Sequence, residues 1–241
     1  MSTLVLIRHG QASLGGADYD VLSARGIEQS RRLGGYLAAR GERFDVIVAG
    51  PLKRHIGTAE ALRDGAREAG LDLPAPTIHP GFDEFPALEI LATCVDDLAA
   101  RDPEIAALQR DFHAAIADEA RRGFRRAFEH LFQAMMRRWI AGAFDDVVEP
   151  YARFQERVDG AIDALLTAAG RGARIAAVTS AGPIGAAVRK AFSLAPWDAM
   201  RATFVVHNAS LTELKHRPGE LTLTAFNGVP HLDDPALITL R

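Results

Sequence analysis

Leu4-Val5-Leu6-Ile7-Arg8-His9-Gly10-Gln11 opens the chain with an unbroken apolar run that ends in an arginine, a histidine and a glycine. Four consecutive apolar residues bounded by a glycine read as a strand buried on both faces, the kind that occupies the middle of a parallel sheet. In open α/β sheets ligands bind beyond the carboxyl ends of such strands. Arg8 offers a rigid fork of donors suited to phosphate. His9 can serve as base, acid or nucleophile near neutral pH. Gly10 lets the backbone come close to a ligand.

The rest of the chain repeats the pattern. Further apolar runs at Val46–Ala49, Thr77–His79 (weaker) and Ile175–Val178 are each followed by a helical pattern, with starts near Ser23, Leu52, Phe85 and Pro183. Strand–helix alternation predicts a parallel sheet covered on both faces. Two later runs, Phe204–Leu214 and Leu221–Phe226, are joined by His216-Arg217-Pro218-Gly219-Glu220, which reads as a hairpin and an antiparallel edge. Residues 85–144 interrupt the alternation with helix alone. Asp102-Pro103 reads as an N-cap with a first-turn proline. Phe124, Phe128, Leu131, Met135 and Trp139 form a helical stripe, and Arg121, Arg122, Arg125 and Arg126 cluster at its start. The expected fold is therefore α/β: a three-layer αβα domain with a mostly parallel sheet, an antiparallel edge and an inserted helical cap. The expected boundaries are a core of about 1–84 and 145–241 with the cap at about 85–144, all within one domain.

Composition narrows the function classes. The 241 residues carry a formal net charge of −3, so no global basic field argues for nucleic acid. A single cysteine, Cys94, leaves no intramolecular disulfide and no cysteine cluster for zinc. The opening apolar run is only a strand long and lacks a cationic leader, so no signal peptide is read. No run approaches the length of a membrane span. The expectation is a cytoplasmic protein without membrane or nucleic-acid partners, and the sequence admits a homodimer.

Four loops then fall at one sheet edge. Arg8-His9-Gly10-Gln11 is the first. The second, Gly50-Pro51-Leu52-Lys53-Arg54-His55, places Arg54 in the first turn of a helix, where backbone N–H groups also favour an anion. His55 beside it reads as a packing or solvent-facing residue. The third, Phe82-Asp83-Glu84-Phe85, sets Glu84 between two aromatic rings that could desolvate it and suit it to proton donation. The fourth, Thr179-Ser180-Ala181-Gly182-Pro183, puts hydroxyls at a helix N-terminus if Pro183 takes the first helical position. Arginines around non-bridging oxygens, a histidine nucleophile and an acid under the leaving oxygen meet the needs of phosphoryl transfer without calling for a metal or other cofactor.

Leu6-Ile7-Arg8-His9-Gly10-Gln11, Leu22-Ser23 with Gly26 and Gln29, and Pro51-Leu52-x-Arg54 with Thr58-Ala59 together resemble the signature of the histidine phosphatase superfamily, which includes the cofactor-dependent phosphoglycerate mutases. The resemblance implies that His9 is the phosphorylated nucleophile and that Arg8 and Arg54 bind the phosphoryl group. It implies Glu84 as proton donor, although the family's usual Gly-x-Trp-Glu-Gly is absent. Gln11 and Ser180 are the further substrate-binding candidates. The family normally carries a second histidine where Ser180 stands. A serine can donate a hydrogen bond but brings no charge; the loss is worth about 2 to 4 kcal/mol of transition-state stabilisation. His207 and His231 are candidates to replace that imidazole. The implied activity is a histidine acid phosphatase-type phosphoric monoester hydrolase acting on a small phosphorylated substrate. The alternatives are a catalytically weakened module that binds a phosphorylated ligand or phosphate, and a phosphoglycerate mutase.

Overall fold

The computed structural model describes residues 1–13, 20–118, 120 and 123–240. The chain divides into two compact units, one formed by Met1–Glu84 with Arg157–Arg241 and the other by Phe85–Glu156.

In the first unit the strands β1 (Ser2–Arg8), β2 (Val46–Ala49), β3 (Thr77–Ile78), β4 (Arg174–Thr179), β5 (Leu211–Arg217) and β6 (Glu220–Gly228) form one sheet in the order β3-β2-β4-β1-β5-β6. The pairs β3–β2, β2–β4 and β4–β1 are parallel, while β1–β5 and β5–β6 are antiparallel. The sheet is therefore mostly parallel with an antiparallel edge, as the strand and hairpin patterns predict. Alternation along β1 fills both faces. Val5 and Ile7 pack with Leu33 and Leu37 of α1 (Ala24–Ala39) and with Leu62 and Ala66 of α2 (Lys53–Glu68). Leu4 and Leu6 are equally buried and point to the opposite face.

Local chemistry explains most boundaries. Ser23 caps α1, its hydroxyl accepting the Gly26 N–H. Pro218-Gly219 turns β5 into β6, with Gly219 at φ +80°, a left-handed conformation that glycine adopts without steric cost. The second unit holds α3 (Ala87–Thr93), α4 (Val95–Ala99), α5 (Pro103–Ala117) and α6 (Phe124–Ile140). Asp102 caps α5 ahead of Pro103, accepting from the main-chain N–H groups of Glu104 and Ile105. The predicted stripe on α6 buries Leu131, Met135 and Trp139, and Phe85 stacks on Trp139 with ring centroids 5.3 Å apart. Among the described residues, no helix is long and apolar enough to cross a membrane.

The structure corrects several boundaries. The helix expected from Phe85 starts at Ala87, after Pro86. The one expected from Arg121 begins at Phe124, after Gly123 at φ +80°; Arg121 and Arg122 lie outside the described residues. The run from Phe204 is not strand throughout. Pro196 opens a helix, α9 (Pro196–Thr203), and β5 starts only at Leu211. Of the remaining helices, α7 is Tyr151–Ala169 and α8 is Ala181–Phe192. Pro183 is thus the third residue of α8 rather than the first, and Ser180 is its N-cap residue.

Candidate active site

Register brings the first and fourth loops together. Arg8 pairs with Thr179 across β1 and β4, so His9 and Ser180 are the next residues on neighbouring parallel strands. The His9 N–H donates to the Thr179 carbonyl at 2.8 Å. On the other side of β4, Ala49 pairs with Val178, which delivers Gly50 and the α2 N-terminus to the same carboxyl edge.

His9 is held from several directions. Its carbonyl accepts the Asn208 side-chain N–H at 3.1 Å and the Ala209 N–H at 3.2 Å. Its Nδ1 lies 2.7 Å from the Gly10 carbonyl oxygen. A carbonyl can only accept, so Nδ1 carries the proton and Nε2 keeps the lone pair. The imidazole is buried, and this burial, followed by the positive fields of Arg8 and Arg54 and by neighbouring His55, holds its pKa well below the ordinary histidine value. The ring is therefore neutral, with Nε2 ready to act as a nucleophile at neutral pH. Gly10 is required for a reason other than ligand approach. A Cβ there would sit 2.4 Å from the Gly26 carbonyl oxygen, because α1 packs directly onto the loop. The Gly10 N–H donates to Thr58 Oγ1 at 3.0 Å, tying the loop to α2 as well.

Arg54 occupies the second position of α2. Its guanidinium pairs with Asp20 at 2.6 Å, and the other Asp20 oxygen accepts the Lys53 N–H at 2.8 Å. Asp20 thereby caps α2 and orients Arg54. Nothing in its local sequence signals this role. Arg8 donates to the Val206 carbonyl, which fixes its side chain beside the loop that holds His9. Gln11 is engaged by α1: its N–H donates to Gln29 at 2.8 Å, and its side-chain oxygen accepts the Ser23 hydroxyl at 3.1 Å.

Glu84 is half-buried, and its carboxylate accepts the Gly182 N–H at 3.0 Å in the first turn of α8. Its aromatic neighbours in sequence are engaged elsewhere. Phe85 stacks on Trp139, and Phe82 meets His79 edge-on at 5.3 Å. The carboxylate is placed by a helix N-terminus rather than by an aromatic sandwich. Arg157 of α7 secures the loop by donating to the carbonyls of Gly81 at 3.2 Å and Asp83 at 3.1 Å.

Ser180 is fully buried and its side chain makes no capping bond. Its Oγ lies 2.7 Å from His55 Nε2, and the His55 ring is 5.7 Å from that of His9. His55 is fully buried as well; burial and then Arg54 push its pKa down to about 3. Of the two histidines named as candidates to replace that imidazole, His231 packs on Tyr36 of α1 at 6.3 Å. His207 lies in the loop whose Val206, Asn208 and Ala209 contact Arg8 and His9, and its main-chain N–H donates to Asn227 at 2.7 Å. The imidazole beside Ser180 belongs to a residue whose sequence context predicts only packing or solvent exposure. Its neighbour Arg54 drew attention to an anion, and the turn of α2 that directs position 55 inward is invisible without the packing of Gly50.

These loops therefore bring His9, Arg8, Arg54, His55 and Ser180 into one cluster, with Glu84 on the first turn of the helix that Ser180 begins. The family model for the histidine phosphatase superfamily (branch 1) matches residues 4–115 and 110–228. The chain belongs to that superfamily. A 2,3-bisphosphoglycerate-dependent phosphoglycerate mutase from Thermobifida fusca is 45% identical over 78 residues, which is 30% of this chain and 30% of the mutase. The chain thus matches less than a third of that relative's length. Among solved structures, a phosphoserine phosphatase from Entamoeba histolytica in complex with phosphoserine superposes with a TM-score of 0.62 at 19% identity, covering 96% of this chain and 100% of that one. An alpha-ribazole phosphatase from Shigella flexneri gives 0.61 at 22% identity, covering 94% and 96%. At these identities the two structures establish the shared fold.

Proposed function

We propose that the protein is a phosphomonoester hydrolase that works through a phosphohistidine on His9. The observation that carries this reading is the state of that ring: buried, neutral, with Nδ1–H fixed on Gly10 and set in the field of Arg8 and Arg54. Nε2 attacks phosphorus, the bond from phosphorus to the ester oxygen breaks, and Glu84 gives that oxygen a proton. The Gly10 carbonyl stabilises the positive charge that the ring acquires as the N–P bond forms. Water then attacks phosphorus, Glu84 takes its proton, and the N–P bond breaks to release phosphate. Arg8 and Arg54 match the charge on the non-bridging oxygens, with Ser180 donating a hydrogen bond and Gln11 as a further ligand contact. The names of the phosphatase neighbours and the phosphoserine bound to one of them favour a small anionic phosphomonoester as substrate. As to domain organisation, we read the chain as a single phosphatase domain into which the helical unit is inserted.

Steady-state hydrolysis of p-nitrophenyl phosphate, with alkaline SDS-quench trapping of the phosphoenzyme, tests the reading. Turnover and a base-stable, acid-labile phosphoryl label, both abolished in His9→Ala, are expected. Clean protein with neither would overturn it. A second reading, a phospholigand-binding module, is favoured by the uncharged Ser180; saturable vanadate binding without turnover would select it. A third, mutase activity, is favoured by the short match to the Thermobifida fusca enzyme, and phosphoryl transfer between phosphoglycerates in a coupled assay would select it.

A further inference from the structure

We infer that His55 is a positioning residue for phosphoryl transfer, acting through Ser180 to hold the serine hydroxyl as a donor to the phosphoryl group on His9. The inference rests on the phosphohistidine reading above.

Two features of Ser180 need an explanation together. It occupies the N-cap position of α8, where a serine oxygen ordinarily accepts an N–H from the first turn. Here no such bond forms, and the Gly182 N–H goes to Glu84 instead. The hydroxyl turns to His55 Nε2 at 2.7 Å, with both side chains fully buried. A buried serine–imidazole pair beside a neutral nucleophilic histidine is a costly arrangement to maintain for packing alone, since an apolar pair would need no hydrogen-bond matching.

The chemistry of the pair suits an anion. A serine hydroxyl has one hydrogen and two acceptor lone pairs. When it donates to Nε2, its hydrogen is directed away from a ligand. When Nε2 carries a proton and donates to Oγ, the hydroxyl hydrogen is left for a phosphoryl oxygen. The ring thus selects which way the serine points, and a phosphoryl group on His9 favours the second arrangement. Placement is tight. A Cβ on Gly50 would lie 2.3 Å from His55 Nδ1, so the β2–α2 turn holds the ring against Ser180 from behind. His55 leaves α2 one residue after Arg54, so a single helical turn presents a guanidinium and an imidazole to the same edge. The imidazole that the family resemblance expects at position 180 is supplied from α2 and relayed through one oxygen.

Six proteins test this on p-nitrophenyl phosphate, with kcat, KM and vanadate inhibition as readouts: wild type, His55→Leu, Ser180→Ala, the combined His55→Leu/Ser180→Ala, His55→Ala, and the relocation variant His55→Ala/Ser180→His. His55→Leu keeps the buried volume and removes the donor. Both single variants should lose about 100- to 1,000-fold in kcat, on the scale of one lost transition-state donor. Their effects should not multiply when combined, and vanadate should weaken more than phosphate. Relocation should recover at least tenfold over His55→Ala. Thermal melts establish folding, and if His55→Leu does not fold, His55→Gln, which retains an N–H donor, is compared with His55→Ala in its place. Wild-type kcat in folded His55→Leu, equal kcat in His55→Gln and His55→Ala, or no recovery on relocation would overturn the inference. A wild-type enzyme that binds vanadate but never turns over would instead overturn the phosphohistidine reading. Vanadate affinity in the same variants then still decides the role of His55.

Discussion

The Glu84 carboxylate is fastened to the Gly182 N–H, which makes the acid and the Ser180 loop parts of one helix N-terminus. If Glu84 delivers the proton to the leaving oxygen, its importance must scale with the need of that oxygen for a proton. Glu84→Gln preserves an acceptor for Gly182 while removing the transferable proton. For an alkyl phosphomonoester we expect kcat to fall by about 100- to 10,000-fold, the usual contribution of a placed general acid. With p-nitrophenyl phosphate, whose leaving group is stable as an anion, the fall should be much smaller. Equal losses on both substrates would remove Glu84 from the proton-transfer role.

Gly10 is a steric requirement of the β1–α1 contact. An added Cβ would approach the Gly26 carbonyl oxygen to 2.4 Å and Ser30 Oγ to 2.9 Å, and backbone cannot move aside as a flexible side chain can. Gly10→Ala should therefore cost about 1 to 3 kcal/mol of stability, the range for overpacking. It should also displace the carbonyl that holds His9 Nδ1, so activity should fall in protein that is still folded. Urea unfolding together with kcat at a temperature well below the melt separates the two; a variant with wild-type stability would contradict the packing.

The His9 ring makes a pH prediction. Burial dominates the lowering of its pKa, and Arg8 and then Arg54 add to it. Imidazole resonances of His9 should therefore remain those of the neutral Nδ1–H form as pH falls through 6.5, the ordinary value for histidine. Arg54→Gln removes one of the positive charges and should move the titration upward. A His9 titration at the ordinary value in wild type, or no upward movement in the variant, would contradict this electrostatic account.

Much of the fold was legible because each central strand announces itself. Leu4–Ile7, Val46–Ala49 and Ile175–Val178 are apolar on both faces, and Pro218-Gly219 marks the hairpin by its own chemistry. Phe204 misled because an apolar run does not distinguish strand from the end of a helix, and Pro196 was the signal that a helix had begun. In the site, His9, Arg8 and Arg54 were legible because strand ends and helix starts determine where they point. His55 and Asp20 were not. Which way a residue in the first turn of α2 faces, and what reaches it from a distant loop, depend on tertiary packing that no local pattern encodes.

His231 offers a test of the fold away from the proposed chemistry. It is buried beside Tyr36, its ring nitrogens have no hydrogen-bond partner among the described protein atoms, and burial, aided by Arg32, lowers its pKa to about 4. The folded value lies below the unfolded one of about 6.5. Above pH 6.5 both states are neutral and the group contributes no pH dependence. Below it the unfolded chain binds a proton that the folded protein resists, so stability falls by about 1.4 kcal/mol per pH unit until the folded value is reached. His55, lowered to about 3, acts in the same direction over a longer range. His231→Leu removes one of these contributions. Relative to wild type it should gain roughly 2 kcal/mol between pH 7 and pH 5 in urea unfolding, with little of that gain lying above pH 7. Parallel stability curves for the two proteins across that interval would show that His231 titrates normally in the folded state and that its pocket is open to water.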